Sequence, residues 1–147
     1  MNPEHPVKIL LVEDDAGHAR LIEKNLRRTN VINDIIWLDN GQKAVDFLFS
    51  EGEYVNVPRP SPLLVILDLN LPIISGSQIL KRMKEDSHTR RIPVVILTTT
   101  EDSREIQKCY ELGCNVFVTK PVEYENFTEA VRKIGLFMSI VQIPNGD

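Results

Sequence analysis

The sequence predicts an α/β fold: a three-layer, doubly wound sheet of five parallel strands with helices on both faces. Three observations carry that prediction. Short apolar runs alternate with segments of helical periodicity along the whole chain. Two of the runs, Leu63–Leu67 and Pro93–Thr98, are almost continuously apolar, as strands covered on both faces must be. At 147 residues the chain has the length of about one domain, and it contains no repeat and no low-complexity segment. Strands in a parallel sheet need crossover connections, which the intervening helices supply in the right-handed sense.

After a polar start, Met1–Pro6, the first strand is Val7–Val12. Ala16–Arg28 carries Ala19, Ile22 and Leu26 at helical spacing, with Asp15 placed to cap its start. Ile35–Leu38 is a second, shorter strand, and Asn40-Gly41 turns the chain into a helix near Gln42–Ser50. Glu51–Pro62 is a loop with three prolines, longer than most connections in compact domains. Leu63–Leu67 is the central strand. Leu71-Pro72 then turns the chain away, because the residue before proline avoids helical geometry and proline cannot donate to a ladder. Ser75 caps a helix running to about Glu85, and Pro93–Thr98 is the fourth strand. A helix over Ser103–Leu112 stops at Gly113, suited to a left-handed C-cap. Val116–Thr119 is the fifth strand and Glu123 to about Val141 the last helix. The expected boundaries are a tail over 1–6, one domain over 7–141 and a tail over 142–147.

Composition narrows the function. Hydrophobic residues at 42% and charged residues at 26% fit a folded chain rather than a disordered one. A net charge of −4 argues against a DNA binder, since no basic stripe is present to release counterions. No apolar run approaches a membrane span and the start lacks the features of a signal peptide. Cys109 and Cys114 are too few for a zinc site and are read as reduced packing residues of a cytoplasmic protein. His5, His18 and His88 are scattered over a tail, a helix and a loop, and none is given a catalytic role.

The informative residues stand at the strand ends. Val12 is followed by Glu13-Asp14-Asp15 and Leu67 by Asp68; the fourth strand ends in Thr98-Thr99-Thr100 and the fifth in Thr119-Lys120-Pro121. Open α/β sheets bind their ligands there. If the first, third and fourth strands are neighbours, Glu13, Asp14 and Asp68 converge, and they would raise one another's pKa unless a cation neutralised them. Oxygen-only ligands favour a hard ion, and Mg2+ fits because it accepts incoming phosphate oxygens. With a lysine at Lys120 and a hydroxyl at Thr98 this is a phosphoryl-acceptor set. The Asp68 carboxylate attacks phosphorus to give an aspartyl phosphate, while cation and lysine balance the charge. Singly these residues say less. An acidic pair after a strand is usually a solvated helix start, which Asp15 remains, and Thr98 or Phe117 alone would be an ordinary strand residue.

Lys8–Asp15, Leu64–Pro72 with Gly76, Pro93–Thr98 and Lys120-Pro121 together resemble the response-regulator receiver domain of two-component signalling, the CheY-like family. The resemblance covers nearly the whole chain. It implies strand order 2-1-3-4-5 and Asp68 as the phosphoacceptor. Asp14 would bind Mg2+ directly and Glu13 through water, with the Asn70 backbone carbonyl completing the protein ligands. Thr98 would be the switch hydroxyl, Lys120 the cation that pairs with the phosphoryl group beside a cis bond to Pro121, and Phe117 the aromatic switch. Such a chain is no enzyme toward other substrates; it catalyses only its own phosphotransfer and autodephosphorylation.

The sequence also departs from the family's pattern. Phe117 lacks the hydroxyl of a tyrosine, Thr99 stands where a small residue is usual, and Ser75 replaces the common Asp before Gly76. Asn70 and Thr100 occupy the two positions that tune autodephosphorylation. The loop Gly52–Pro60, the runs Leu67–Pro72 and Ile92–Val95, and the Ile143-Pro144 tail resemble the small response regulators paired with bacterial phytochromes. That implies a sensor histidine kinase of the bacteriophytochrome type as phosphoryl donor.

The last helix carries a sheet-covering stripe (Phe127, Val131, Ile134, Met138, Val141) and a second one (Leu136, Ile140, Ile143) on roughly the opposite face. The second stripe either receives the tail folding back on its own domain or is an exposed patch that marks an interface. The resemblance implies the latter, a homodimer through the fourth and fifth helices, the fifth strand and the C-terminal tail, a surface the family often uses. Output is expected by protein contact, with no DNA-binding module and no membrane association. Two rivals fare worse. A haloacid-dehalogenase-type phosphatase needs a second Asp where Asn70 stands, and a flavodoxin-like carrier needs a Ser/Thr/Gly-rich phosphate loop in place of Glu13-Asp14-Asp15.

Overall fold

The computed structural model describes residues 7–28, 31–99 and 102–119. The elements run β1 (Lys8–Val12), α1 (Ala16–Arg28), β2 (Ile35–Leu38), α2 (Gly41–Phe49), a 3-10 turn (Gly52–Tyr54), β3 (Leu63–Leu67), α3 (Gly76–Glu85), β4 (Val94–Thr98), α4 (Ser103–Leu112) and β5 (Val116–Thr119). The expected strands and the first four expected helices are present, with ends shifted by a residue at β1, α2 and β4. The helix expected over Glu123–Val141, both tails and the apolar stripes assigned to a dimer contact lie outside the described residues.

All strand pairs are parallel and the order is β2-β1-β3-β4-β5. The alternation of side chains divides the core into two walls. Leu10, Val12, Val65 and Leu67 face Ile79, Leu80 and the rest of the α2–α3 layer. Ile9, Leu11, Leu64 and Ile66 face Ala19, Ile22 and Leu26 of α1. β3 lies at the centre, and every side chain of its five residues is buried. A continuous apolar run is the only sequence that can occupy such a strand, since a polar side chain on either face would lack a partner.

Local chemistry sets the helix ends. Asp15 Oδ1 accepts from His18 N at 2.9 Å, confirming the cap expected for α1. Asn40 Oδ1 accepts from Lys43 N at 2.9 Å. Ser75 and Gln78 form a reciprocal capping box at α3, with Ser75 N donating to Gln78 Oε1 at 2.9 Å. Gly113 ends α4 at φ 102, and its N–H reaches the carbonyls of Cys109 and Tyr110.

The long connection over Glu51–Pro62 is strapped to the body. Arg59 donates to the carbonyls of Leu48 (2.9 Å) and His88 (3.0 Å). Tyr54 meets Phe47 edge-on at 5.3 Å between ring centres. Arg82 lies 4.0 Å over the Phe49 ring and pairs with Glu51. The 3-10 turn within this segment has no counterpart in the sequence reading, since three residues show no periodicity. Cys109 and Cys114 are buried free thiols, and burial pushes Cys114 up to about 11. Burial lowers the pKa of Lys84, whose ammonium donates to the carbonyls of Arg90 and Ile92.

Candidate functional site

Parallel pairing in this order sets the C-terminal ends of β1, β3 and β4 side by side. Asp68 N donates to Val12 O at 3.1 Å, so the third strand hands Asp68 over directly beside the acidic turn that follows β1. Glu13, Asp14 and Asp68 each bring a carboxylate oxygen within 4.8 Å of the other two. Glu13 is 1% exposed and Asp68 7%, while Asp14 is exposed. Like charges at such a spacing repel by roughly 3 to 4 kcal/mol per pair at the effective dielectric of a protein surface. An oxygen-only donor set of this kind fits a hard divalent cation.

Main-chain groups fix the carboxylates. Glu13 Oε2 accepts from Asp15 N at 3.1 Å, and Asp68 Oδ1 accepts from Asn70 N at 3.0 Å. Residue 13 is itself held by β2: its N–H donates to Leu38 O at 3.1 Å, and its carbonyl accepts from Trp37 Nε1 at 2.7 Å. Thr98, fully buried at the end of β4, has its hydroxyl 3.2 Å from the donating side-chain amide of Asn70. Thr99 beside it is exposed. The structure thus brings together Glu13, Asp14, Asp68, Asn70 and Thr98. Phe117 is half-buried on β5, 6.3 Å from the Tyr110 ring of α4, and its N–H donates to the Tyr110 hydroxyl at 3.3 Å. Lys120, Pro121 and Thr100 lie outside the described residues.

The loop from β3 to α3 is shaped by close approach. A Cβ on Gly76 would stand 2.1 Å from the Asp68 carbonyl oxygen and 2.8 Å from Leu69 Cα, so only glycine lets α3 begin against the acidic loop. A Cβ on Gly41 would stand 2.3 Å from Ile74 O, pressing α2 on the same loop from outside. Ile73 at its crown is 82% exposed at φ 73, a left-handed conformation that a β-branched residue adopts at a cost of about 1–2 kcal/mol.

Sequence reasoning missed Trp37 and the bond from the Asn70 side chain to Thr98, because both depend on contacts between strand ends distant in the chain. Gly41 was read only as a turn residue. For it, an Asn-Gly pair entering an amphipathic helix was the available signal.

Residues 9–132 match the response regulator receiver domain family. The chain is 37% identical over 140 residues to the response regulator Rcp1 of Synechocystis sp., covering 95% of this chain and 94% of that protein. Among solved structures it is similar to a response regulator receiver domain from Rhodospirillum rubrum, with 55% identity, a TM-score of 0.87, and coverage of 95% of this chain and 99% of that one. The Mn(2+)-bound form of Rcp1 is similar at 36% identity and TM-score 0.86, with coverage of 95% and 99%. The phosphorylated cyanobacterial phytochrome response regulator RcpA is similar at 35% identity and TM-score 0.84, with coverage of 94% and 98%. Among the described residues no helix is long and apolar enough to cross a membrane.

Proposed function

The chain belongs to the response regulator receiver domain family, and from that membership we propose that it is switched by phosphorylation of Asp68. The observation that carries the proposal is the convergence of the Glu13, Asp14 and Asp68 carboxylates within 4.8 Å at adjoining strand ends. In this reading the phosphoryl donor is a phosphohistidine of a sensor histidine kinase. Asp68 attacks phosphorus, the P–N bond breaks, the imidazole leaves with its electron pair, and an aspartyl phosphate remains. Asn70 N–H fixes Oδ1 and with it the plane of the attacking carboxylate.

Asp14, Asp68 and the Asn70 backbone carbonyl would hold Mg2+, with Glu13 acting through water. Bound there, Mg2+ supplies neutralisation of the acidic cluster and of the incoming phosphate oxygens. The similarity to a Mn(2+)-bound Rcp1 supports a divalent cation, and the carboxylate cluster supports this place for it. Lys120 pairs with the phosphoryl group, the Thr98 hydroxyl turns toward it, and Phe117 follows Thr98 inward. Phosphorylation biases an equilibrium between two arrangements that exist beforehand.

The donor we favour is a bacteriophytochrome-type kinase, because RcpA is named as a phytochrome response regulator and resembles this chain over nearly its full length. Output passes by protein contact in the cytoplasm through a homodimer of the α4–β5 face, the helix expected over Glu123–Val141 and the C-terminal tail. The net charge of −4 speaks against DNA as the target.

The test is intact mass and elution volume with Mg2+ and acetyl phosphate, for wild type and Asp68→Asn. The expected result is a gain of about 80 Da, one phosphoryl group on an aspartate, in wild type alone, with a shift in elution. Identical behaviour of the two proteins would end the proposal.

A further inference from the structure

Trp37 is the chain's only tryptophan, and it stands on β2, the edge of the sheet. It is 44% exposed, so its ring adds less to the core than a buried aromatic would. For strand propensity alone phenylalanine or tyrosine serves as well. What only the indole provides here is the N–H donated to Glu13 O at 2.7 Å. With Glu13 N bound to Leu38 O at 3.1 Å, β2 grips both main-chain polar groups of residue 13. The peptide that follows carries Asp14, the exposed member of the carboxylate cluster. Fixing the Glu13 carbonyl fixes the plane of that peptide and hence the direction from which Asp14 projects.

Resting on the cation reading given above, we infer that Trp37 is a positioning residue for the divalent-cation site. Its indole N–H sets the acidic turn in the geometry that the ion requires, from a strand that contributes no ligand. The arrangement parallels the way hydrogen-bond partners behind metal-holding groups tune affinity.

The experiment titrates wild type, Trp37→Phe and a protein with benzothienylalanine at position 37 with Mn2+, following free Mn2+ by electron paramagnetic resonance. The benzothienyl ring keeps the shape of the indole and lacks only the donor. Thermal unfolding without metal is recorded alongside. The expected result is binding about tenfold weaker in both variants, the lower end of what losing such a partner costs, with the benzothienyl protein unfolding at the wild-type temperature. Wild-type affinity in the benzothienyl protein overturns the inference, even if Trp37→Phe binds weakly, because ring packing would then be the cause. A wild type that takes up no Mn2+ overturns the cation reading and the inference with it.

Discussion

The side-chain amide of Asn70 donates to the hydroxyl of Thr98 at 3.2 Å, tying the loop after β3 to the end of β4. In the proposed switch the Thr98 hydroxyl turns toward a phosphoryl group on Asp68 and away from this donor. In that reading the tie weights the equilibrium toward the unmodified arrangement. A neutral hydrogen bond is worth about 1 kcal/mol net, which is about fivefold in an equilibrium constant. Asn70→Ala is expected to bind beryllofluoride about fivefold more tightly than wild type in the presence of Mg2+, measured by titration calorimetry. Unchanged or weaker binding would show that the tie does not restrain Thr98.

Gly76→Ala places a methyl group where the Asp68 carbonyl and the Leu69 Cα leave 2.1 and 2.8 Å. Both neighbours are main chain, so relief requires α3 to move away from the loop. The expected loss is about 3 kcal/mol, at the upper end for overpacking, read from the midpoint of urea unfolding. Ile73→Gly acts in the opposite direction on the same loop. Its left-handed φ of 73 is free of penalty for glycine, and a gain of about 1 kcal/mol is expected.

Divalent cation should stabilise the fold by mass action, because the carboxylate cluster exists only in the folded chain. At about 100 times its Kd the ion adds about 2.7 kcal/mol. The melting temperature of wild type is expected to rise with Mg2+, and that of Asp14→Asn to stay constant. An equal rise in both would place the ion elsewhere.

Burial holds the Cys114 thiol neutral in the fold, raising it from 9.0 to about 11. A group whose folded pKa is raised contributes stability below its unfolded value and loses it as pH climbs through the folded one. The advantage of wild type over Cys114→Ala should be constant below pH 9.0 and shrink between there and about 11. Lys84, lowered by burial, is present in both proteins, and only the opposing influence that Cys114 exerts on it differs between them. Urea unfolding at a series of pH values checks the slope, and an advantage that widens with pH would contradict it.

The fold was legible because each element carries one dominant signal. A run such as Leu63–Leu67 has no stable place except between two helical layers, and Ala19, Ile22 and Leu26 repeat at the pitch of a helix with one buried face. Glu13, Asp14 and Asp68 were legible for a related reason: a charge ending an apolar run marks where a strand leaves the core. The contacts between these signals were hidden. Asn70 and Thr98 are 28 residues apart and Trp37 and Glu13 24, and nothing local to either partner states the register that joins them. The left-handed Ile73 was hidden because glycine or asparagine is the expected occupant of such a turn.

β3 is hydrogen-bonded to a strand on each edge and covered by side chains on each face. Its amides should exchange with deuterated solvent only through global opening, the slowest class in the molecule. Asp68 hangs from the end of that strand, so the residue proposed to take the phosphoryl group sits on the part of the protein least able to yield. The acidic turn and the β3–α3 loop flank it, joined through the bonds from Asp68 N to Val12 O and from Asn70 N to Asp68 Oδ1. If charge is added there as proposed, the strand stays in place, and any motion that a partner detects begins in the loops beside the modified atom.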